Sequence, residues 1–328
     1  MPARDKLVMV TRKTALEELV ERFNTRDQAR FYIEHMGGRF DDYQAAHDAY
    51  HQALAFLHRA IPRGVRAQWI DRSFLPTFTF GESDVAVILG QDGLVVNAAK
   101  YLDGQPVVAL NPDPERIDGI LLPFSVHSAA RAIELALDPG AGKVWRDVTM
   151  AQVVLNDGQS LLAVNDLFIG QKTHTSARYR IRYQEAQEDQ SSSGIIVSTG
   201  AGSTGWNRSI LTGAARIVGA VSKKAKVKDI PGKYRFDWEA RYLVFNVREP
   251  FPSKTTGAEI VHGLIERNKP FEIISLMPQN GVIFSDGIEE DRLEFNSGAS
   301  AKIGLADRTL RLVVPPDYAP DQSTAAPD

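Results

Sequence analysis

The run Val85–Leu89 is apolar throughout and passes directly into Gly90-Gln91-Asp92-Gly93. Helical spacing follows at Val95, Ala98, Ala99 and Leu102, and then a second apolar run extends from Pro106 to Leu110. Apolar runs without polar alternation are the mark of strands covered on both faces, as in parallel sheets. Strand, glycine turn, helix and strand make a βαβ unit. Its crossover is right-handed, and in open sheets ligands gather at the carboxyl ends of the strands, where this glycine turn lies. Any fold for the chain has to accommodate that unit.

The flanking sequence extends the pattern. Leu7–Val10 reads as a strand, and Thr14-x-x-Glu17 is a capping box for a helix with Leu16, Leu19, Val20 and Phe23 on one face. Thr25-x-x-Gln28 opens a second helix, carrying Tyr32, Ile33 and Met36 and stopped by Gly37-Gly38. A longer helix runs through Tyr43, Tyr50, Leu54, Leu57 and Ile61 until Pro62 and Gly64. One more, capped by Ser125 and closed by Pro139-Gly140, completes a Rossmann-like α/β domain over residues 1–145.

The pattern changes near residue 145. Val148–Leu155, a turn at Asn156-Asp157-Gly158, and Leu161–Ile169 read as a hairpin. Further strands are expected at Arg178–Tyr183, Ile195–Ser198, Tyr242–Val247, Phe271–Met277, Val282–Phe284 and Thr309–Val314. A single helical pattern interrupts them, at Ile210, Ala214, Ile217 and Val221. A β-rich, mainly antiparallel domain is therefore expected over 146–314. The charged stretch Ser222–Lys233 breaks the pattern, and Pro315–Asp328 reads as a disordered tail.

Composition narrows the function. With 43% hydrophobic and 24% charged residues and a formal charge of −3, the chain of 328 residues is globular and shows no basic footprint for nucleic acid. The absence of cysteine excludes disulfide scaffolds, thiolate zinc sites and cysteine nucleophiles. The first residues lack the apolar stretch of a signal peptide, and no run approaches the roughly 20 residues that span a bilayer. The expectation is a cytoplasmic protein without membrane association.

Two glycine loops carry the chemistry. In Gly90-Gln91-Asp92-Gly93 a carboxylate sits where a strand ends and a helix begins. Backbone N–H groups and the helix dipole there suit a phosphate, and Asp92 suits a base for a hydroxyl nucleophile. A plain Asp-Gly turn is the competing reading. Ser198-Thr199-Gly200-Ala201-Gly202-Ser203-Thr204-Gly205-Trp206 again joins a strand to a helix. Its hydroxyls and N–H groups suit a sugar or nucleotide, and Trp206 offers a stacking face. It is not a Walker loop, because no Gly-Lys-Ser/Thr follows.

The first loop resembles the Gly-Gly-Asp-Gly motif of NAD kinases and their diacylglycerol and sphingosine kinase relatives. Asn165-Asp166 resembles the Asn-Glu pair of NAD kinases, and Ser198–Trp206 their second glycine loop. Asn111–Arg116, Asn165–Gly170, Ser192–Gly194 and Val247–Pro250 resemble the mitochondrial-type branch. The resemblance implies an α/β domain, a β-rich domain and an active site between them. It also implies ATP as donor with Mg²⁺, NAD or NADH as acceptor, and a homodimer. Asp92 would deprotonate the adenosine ribose 2′-hydroxyl, and Gly90, Gln91 and Gly93 would shape the donor loop. Asn165, Asp166, Thr199, Ser203, Thr204, Gly205 and Trp206 would hold the dinucleotide. Asp286-Gly287 matches a late Asp-Gly of the family and reads equally as a hairpin turn.

The departures are informative. Gln91 stands where the family has its second glycine, and Leu94 where threonine follows the motif. If that glycine has a positive φ, a Cβ there costs ~1–2 kcal/mol. This keeps open a catalytically weak NAD-binding sensor, and the shared loop keeps open a sugar or lipid kinase. His47 and His51 have the spacing of a helical metal pair but lack the Glu of a His-Glu-x-x-His pattern, so no metal site is expected. Lys223, Lys224, Lys226 and Lys228 read as a solvated loop.

Overall fold

The computed structural model describes residues 4–138, 144–222, 234–267, 269, 271–316 and 318. The expected helix stop at Pro139-Gly140, the lysines 223–228 and nearly all of the tail lie outside them. The chain divides into two compact units: residues up to Arg146 with the stretch from Arg311, and Asp147–Leu310.

The first unit contains β1 (Lys6–Thr11), α1 (Ala15–Phe23), α2 (Arg26–His35), α3 (Phe40–Ala60) and β2 (Arg66–Asp71). These are followed by β3 (Asp84–Leu89), α4 (Asp92–Ala99), β4 (Pro106–Asn111), β5 (Phe124–Ser125) and α5 (Ala129–Leu137). β1 pairs in parallel with β2 and β3, and β3 with β4. Beyond β4, Arg311 and Leu312 pair in parallel with Pro106 and Val107. The continuous apolar runs are the central strands, with β3 and β4 buried along their whole length. Tyr50, Ala53 and Leu57 of α3 and Ala129, Ala132, Ile133 and Ala136 of α5 close a core over Leu7, Met9, Val87 and Leu110. Both arms of the Thr14–Glu17 capping box are present, and Thr25 caps α2. Ser125 instead precedes a single 3₁₀ turn and makes no side-chain cap.

The second unit is a β-sandwich. One sheet has the order β13 (His262–Glu266), β12 (Tyr242–Val247), β11 (Ile195–Ser198), β8 (Asp166–Gln171), β15 (Gly281–Ser285) and β16 (Ile288–Glu294), all antiparallel. Against it lie β10 (Ala186–Ser192), β9 (Ala177–Tyr183), β14 (Phe271–Ser275) and β17 (Ser300–Val313), together with the hairpin of β6 (Trp145–Leu155) and β7 (Ser160–Ala163). Tyr179, Ile181, Phe271 and Ile273 meet Ile169, Val197 and Phe245 in the core between them. The outer face of the β8–β11–β15 sheet carries Phe168, Ile196 and Val282. Trp206 and Ile210 of α6 (Trp206–Val221) cover them. The rest of the expected α6 stripe is not buried, and Ile217 and Val221 are exposed.

One expected strand is two. Leu161–Ile169 breaks at Val164-Asn165, so that β7 pairs with β6 while β8 belongs to the other sheet. The cause is a hydrogen-bond partner from outside the hairpin. The backbone N–H groups of Val164, Asn165 and Asp166 donate to the Asp286 carboxylate at 3.1, 2.7 and 3.2 Å.

Candidate active site

In the first unit, β3 ends in Gly90 and α4 begins at Asp92 with Gln91 as its N-cap. Gly90 N–H donates to Leu110 O, and Leu94 N–H to Gln91 O. The N–H groups of Gln91, Asp92 and Gly93 donate to no protein group among the described residues, as first-turn donors do when a ligand or water takes them. With the helix dipole they form an anion-binding terminus. A cavity of about 180 Å³ opens beside Gly90 and Gln91, and Arg12 and Arg116 are among its lining residues. Arg12 is held there twice, through its backbone N–H on Tyr50 Oη (3.1 Å) and its Nη1–H on Gln91 Oε1 (3.3 Å).

Gln91 has φ −101° and ψ 168°, ordinary extended backbone. The strain that a positive φ would impose on a side chain does not arise here. The Asp92 carboxylate accepts Leu121 N–H at 2.6 Å. Burial lifts its pKa above the usual carboxylate range; bonds from the Leu121 and Ile120 N–H groups oppose this, and the charge of Asp118 reinforces it. The loop that donates to Asp92 is shaped by Asn111, which bonds Ile117 O and Asp113 N–H at 2.9 Å each.

In the second unit, Asn165, Asp166, Ser198 and Thr199 meet at the break between β7 and β8. Ser198 hydroxyl donates to the Asp166 carboxylate, and Thr199 hydroxyl donates to Val164 O. Thr199 N–H donates to Asn165 O at 2.9 Å. Asp166 titrates at about 7: withdrawal from water favours its neutral form, the Ser198 hydrogen bond opposes this, and the Asp286 charge adds to it. The Asn165 amide has no hydrogen-bond partner among the described residues.

The second glycine loop is pressed onto this bend. A Cβ on Gly202 would lie 2.2 Å from Asn165 O, and one on Gly200 would lie 2.0 Å from Asp237 O. Only glycine permits backbone to approach backbone so closely. Ser203 spends its hydroxyl on Gly200 O at 2.6 Å and is fully buried, so it braces the loop from within. Thr204 and Trp206 are half-buried and Gly205 is exposed, which makes them the loop's outer rim. The Trp206 ring stacks on Phe168 with centroids 5.8 Å apart, and Arg248 lies 5.3 Å from its centre.

Sequence reasoning leaves Arg12 out and gives no site role to Asn111 or Ser198, although both stand in motifs it singles out. Ser198 opens the quoted loop and carries a signal of its own, a hydroxyl ending an apolar strand. Asp286 was read as motif or turn, and it is a turn. With φ 55° at Asp286 and 73° at Gly287, it closes a two-residue hairpin between Ser285 and Ile288.

The chain is 26% identical over 255 residues to mitochondrial NAD kinase 2 of rat and of human, a match that covers 58% of this chain and 59% and 57% of those proteins. It is 30% identical over 135 residues to an NAD kinase of Methylococcus capsulatus, covering 38% of this chain and 44% of that one. The matches thus span less than three fifths of the length of these curated relatives. No family model matches. Among solved structures, yeast NADH kinase complexed with NADH superposes with a TM-score of 0.58 at 12% identity, covering 96% of this chain and 84% of the other. This chain has the NAD kinase fold. An NAD kinase from Archaeoglobus fulgidus in complex with ATP superposes at 0.54 with 13% identity, covering 94% and 93%. The NAD kinase fold thus accounts for both units, and the sequence likeness to NAD kinases agrees with it.

Proposed function

We propose that the chain transfers the terminal phosphoryl group of ATP to the adenosine ribose 2′-hydroxyl of NAD or NADH, giving NADP or NADPH. The observation that carries this reading is the bend at Val164–Asp166. There two motifs distant in sequence, Asn165-Asp166 and Ser198–Trp206, form one polar site with a titrating carboxylate and an amide that has no partner among the described residues. Sequence kinship with NAD kinases and the fold shared with an NADH kinase support it.

In this reading Asp92 is the general base, and its lifted pKa brings it nearer the neutral range in which a base works best. The free N–H groups at the start of α4, with Gly90, Gln91 and Gly93, take the donor phosphates, and Arg12 and Arg116 offset their charge. Asn165 and Asp166 hydrogen-bond the dinucleotide, Thr199 and Ser203 hold the loop in shape, and Thr204, Gly205 and Trp206 border the adenine end. Mg²⁺ enters with ATP as part of the substrate and neutralises developing charge. Among the described residues, the acidic and histidine groups that could together hold an ion are Glu17, His47 and His51, and none belongs to the donor loop. A homodimer in the cytoplasm completes the proposal. The edge strand β13, with Leu264 exposed, favours self-association, and a chain without cysteine is suited to a reducing compartment.

The test is purified protein with NAD or NADH, ATP and Mg²⁺, scored for NADP(H) by chromatography. Absence of product with every common phosphoryl donor overturns the reading. A second reading, a sensor that binds NAD and barely turns it over, draws on the bond between Gln91 and Arg12, which occupies a cation the phosphates would need. Micromolar dinucleotide binding without turnover would favour it. Turnover of a sugar or lipid instead would favour the wider kinase superfamily.

A further inference from the structure

We propose that Glu17, His47 and His51 form a binding site for a divalent transition metal of the Zn²⁺ class. The inference is independent of the kinase reading. His47 and His51 lie one turn apart on α3 with ring centroids 4.3 Å apart, and Glu17 comes from the first turn of α1. One carboxylate oxygen of Glu17 and one ring nitrogen from each histidine lie within 4.8 Å of one another. His51 Nε2 is 3.0 Å from Glu17 Oε1. The carboxylate that the sequence around the histidines lacks is therefore supplied by a neighbouring helix.

Two imidazoles and a carboxylate are the three-ligand set that Zn²⁺ takes when its fourth position stays open. Imidazole selects against Mg²⁺ and Ca²⁺, which prefer oxygen. The ligands are also aimed. Thr14 N–H donates to Glu17 Oε2 at 2.6 Å, which leaves Oε1 facing His51. Thr14 Oγ1 lies 2.9 Å from His47 Nδ1, the kind of outer hydrogen bond that fixes the ring of a metal-bound histidine. Leu16, Leu19, Val20 and Tyr43 pack in one apolar cluster of α1, α2 and α3, so the helices that carry the ligands are already joined. An open cavity of about 450 Å³, lined by Glu17 and His47 with Lys13, Glu21 and Arg26, gives an ion its path and its fourth position. A bound ion would tie α1 to α3 beside Tyr50, whose hydroxyl holds the backbone of Arg12.

The experiment uses the full chain, stripped with a chelator and titrated with ZnCl₂ by calorimetry and with CoCl₂ by visible absorption. Glu17→Gln and His51→Ala are run alongside. Glutamine at the third helical position keeps the capping box, and His51 is exposed, so both variants retain the fold, checked by circular dichroism. The expected result is one Zn²⁺ per chain, a tetrahedral Co²⁺ band, and binding weakened by about 10–100-fold in each variant, no less than the loss of an outer hydrogen-bond partner costs. Failure to take up stoichiometric Zn²⁺ overturns the proposal. So does uptake that is the same in the wild type and both variants, which would place the ion elsewhere and leave Glu17–His51 as an ion pair.

Discussion

Replacing Asp166 with asparagine should remove a pH-dependent part of the stability, and its size can be worked out. The folded carboxyl titrates at about 7 against an ordinary value of 3.8, a difference of about 3 units. At 1.36 kcal/mol per unit, that amounts to at most about 4 kcal/mol. The sign follows from the direction. A carboxyl whose pKa is raised on folding binds its proton more tightly in the native state. Its contribution is therefore complete below pH 3.8 and is lost as pH rises through about 7. The asparagine amide of the variant cannot titrate, yet its oxygen can still accept the Ser198 hydroxyl. Urea unfolding of both proteins at pH 5, 6, 7 and 8 is the assay, with the difference between them as the readout, so that other titrating groups cancel. Wild type should lose ground to the variant by about 1 kcal/mol per pH unit between pH 5 and 7, and the difference should level off above 8. A difference independent of pH, or one in which wild type gains with rising pH, would show that Asp166 is already ionised in the folded protein and refute the argument.

Asp92→Asn should leave the melting temperature nearly unchanged, because the amide oxygen still accepts Leu121 N–H, and should lower kcat by ~10²–10⁴; an unchanged kcat removes Asp92 from the chemistry. Gln91→Gly should alter stability by no more than about 0.5 kcal/mol, since glycine is itself an acceptable N-cap and the bond to Arg12 is exposed. Freed from Gln91, Arg12 should then lower the KM for ATP while NAD affinity stays constant, which initial-rate kinetics would show. Gly202→Ala should cost ~3 kcal/mol because its Cβ would meet the Asn165 carbonyl, whereas Gly213→Ala, with nothing within 4 Å in α6, should gain ~1 kcal/mol; thermal melts compare the two.

Legibility in the sequence followed burial. The central strands β1, β3, β4, β11 and β12 announce themselves as apolar runs because both faces are covered. Besides the two-residue β5, four strands escaped sequence reading: β2, β10, β13 and β16. Each is the edge of its sheet, where one flank and often one face meet water. β10 reads Ala-Gln-Glu-Asp-Gln-Ser-Ser and β16 reads Ile-Glu-Glu-Asp-Arg-Leu-Glu, compositions that protect an edge from pairing with other chains and hide the strand at the same time. The glycine loops and Asp92 were legible because helix starts and close backbone approaches demand particular residues. The Arg12–Gln91 bond and the Glu17 carboxylate beside His47 and His51 were not, since each joins residues that only the tertiary fold brings together.

Asp286 closes a turn and also braces the neighbouring bend. The hairpin needs two consecutive residues with positive φ, and aspartate tolerates that backbone better than most. The same turn aims a carboxylate at the N–H groups of Val164, Asn165 and Asp166, which the break between β7 and β8 leaves without a ladder partner. Asp286 N–H in turn donates to Asp166 O at 2.9 Å, locking the turn to the bend. A negative charge fixed this close to Asp166 helps to hold its proton near neutral pH. One residue therefore closes a turn, supports the bend that carries Asn165 and Asp166, and adds to the burial that raises the pH at which Asp166 ionises.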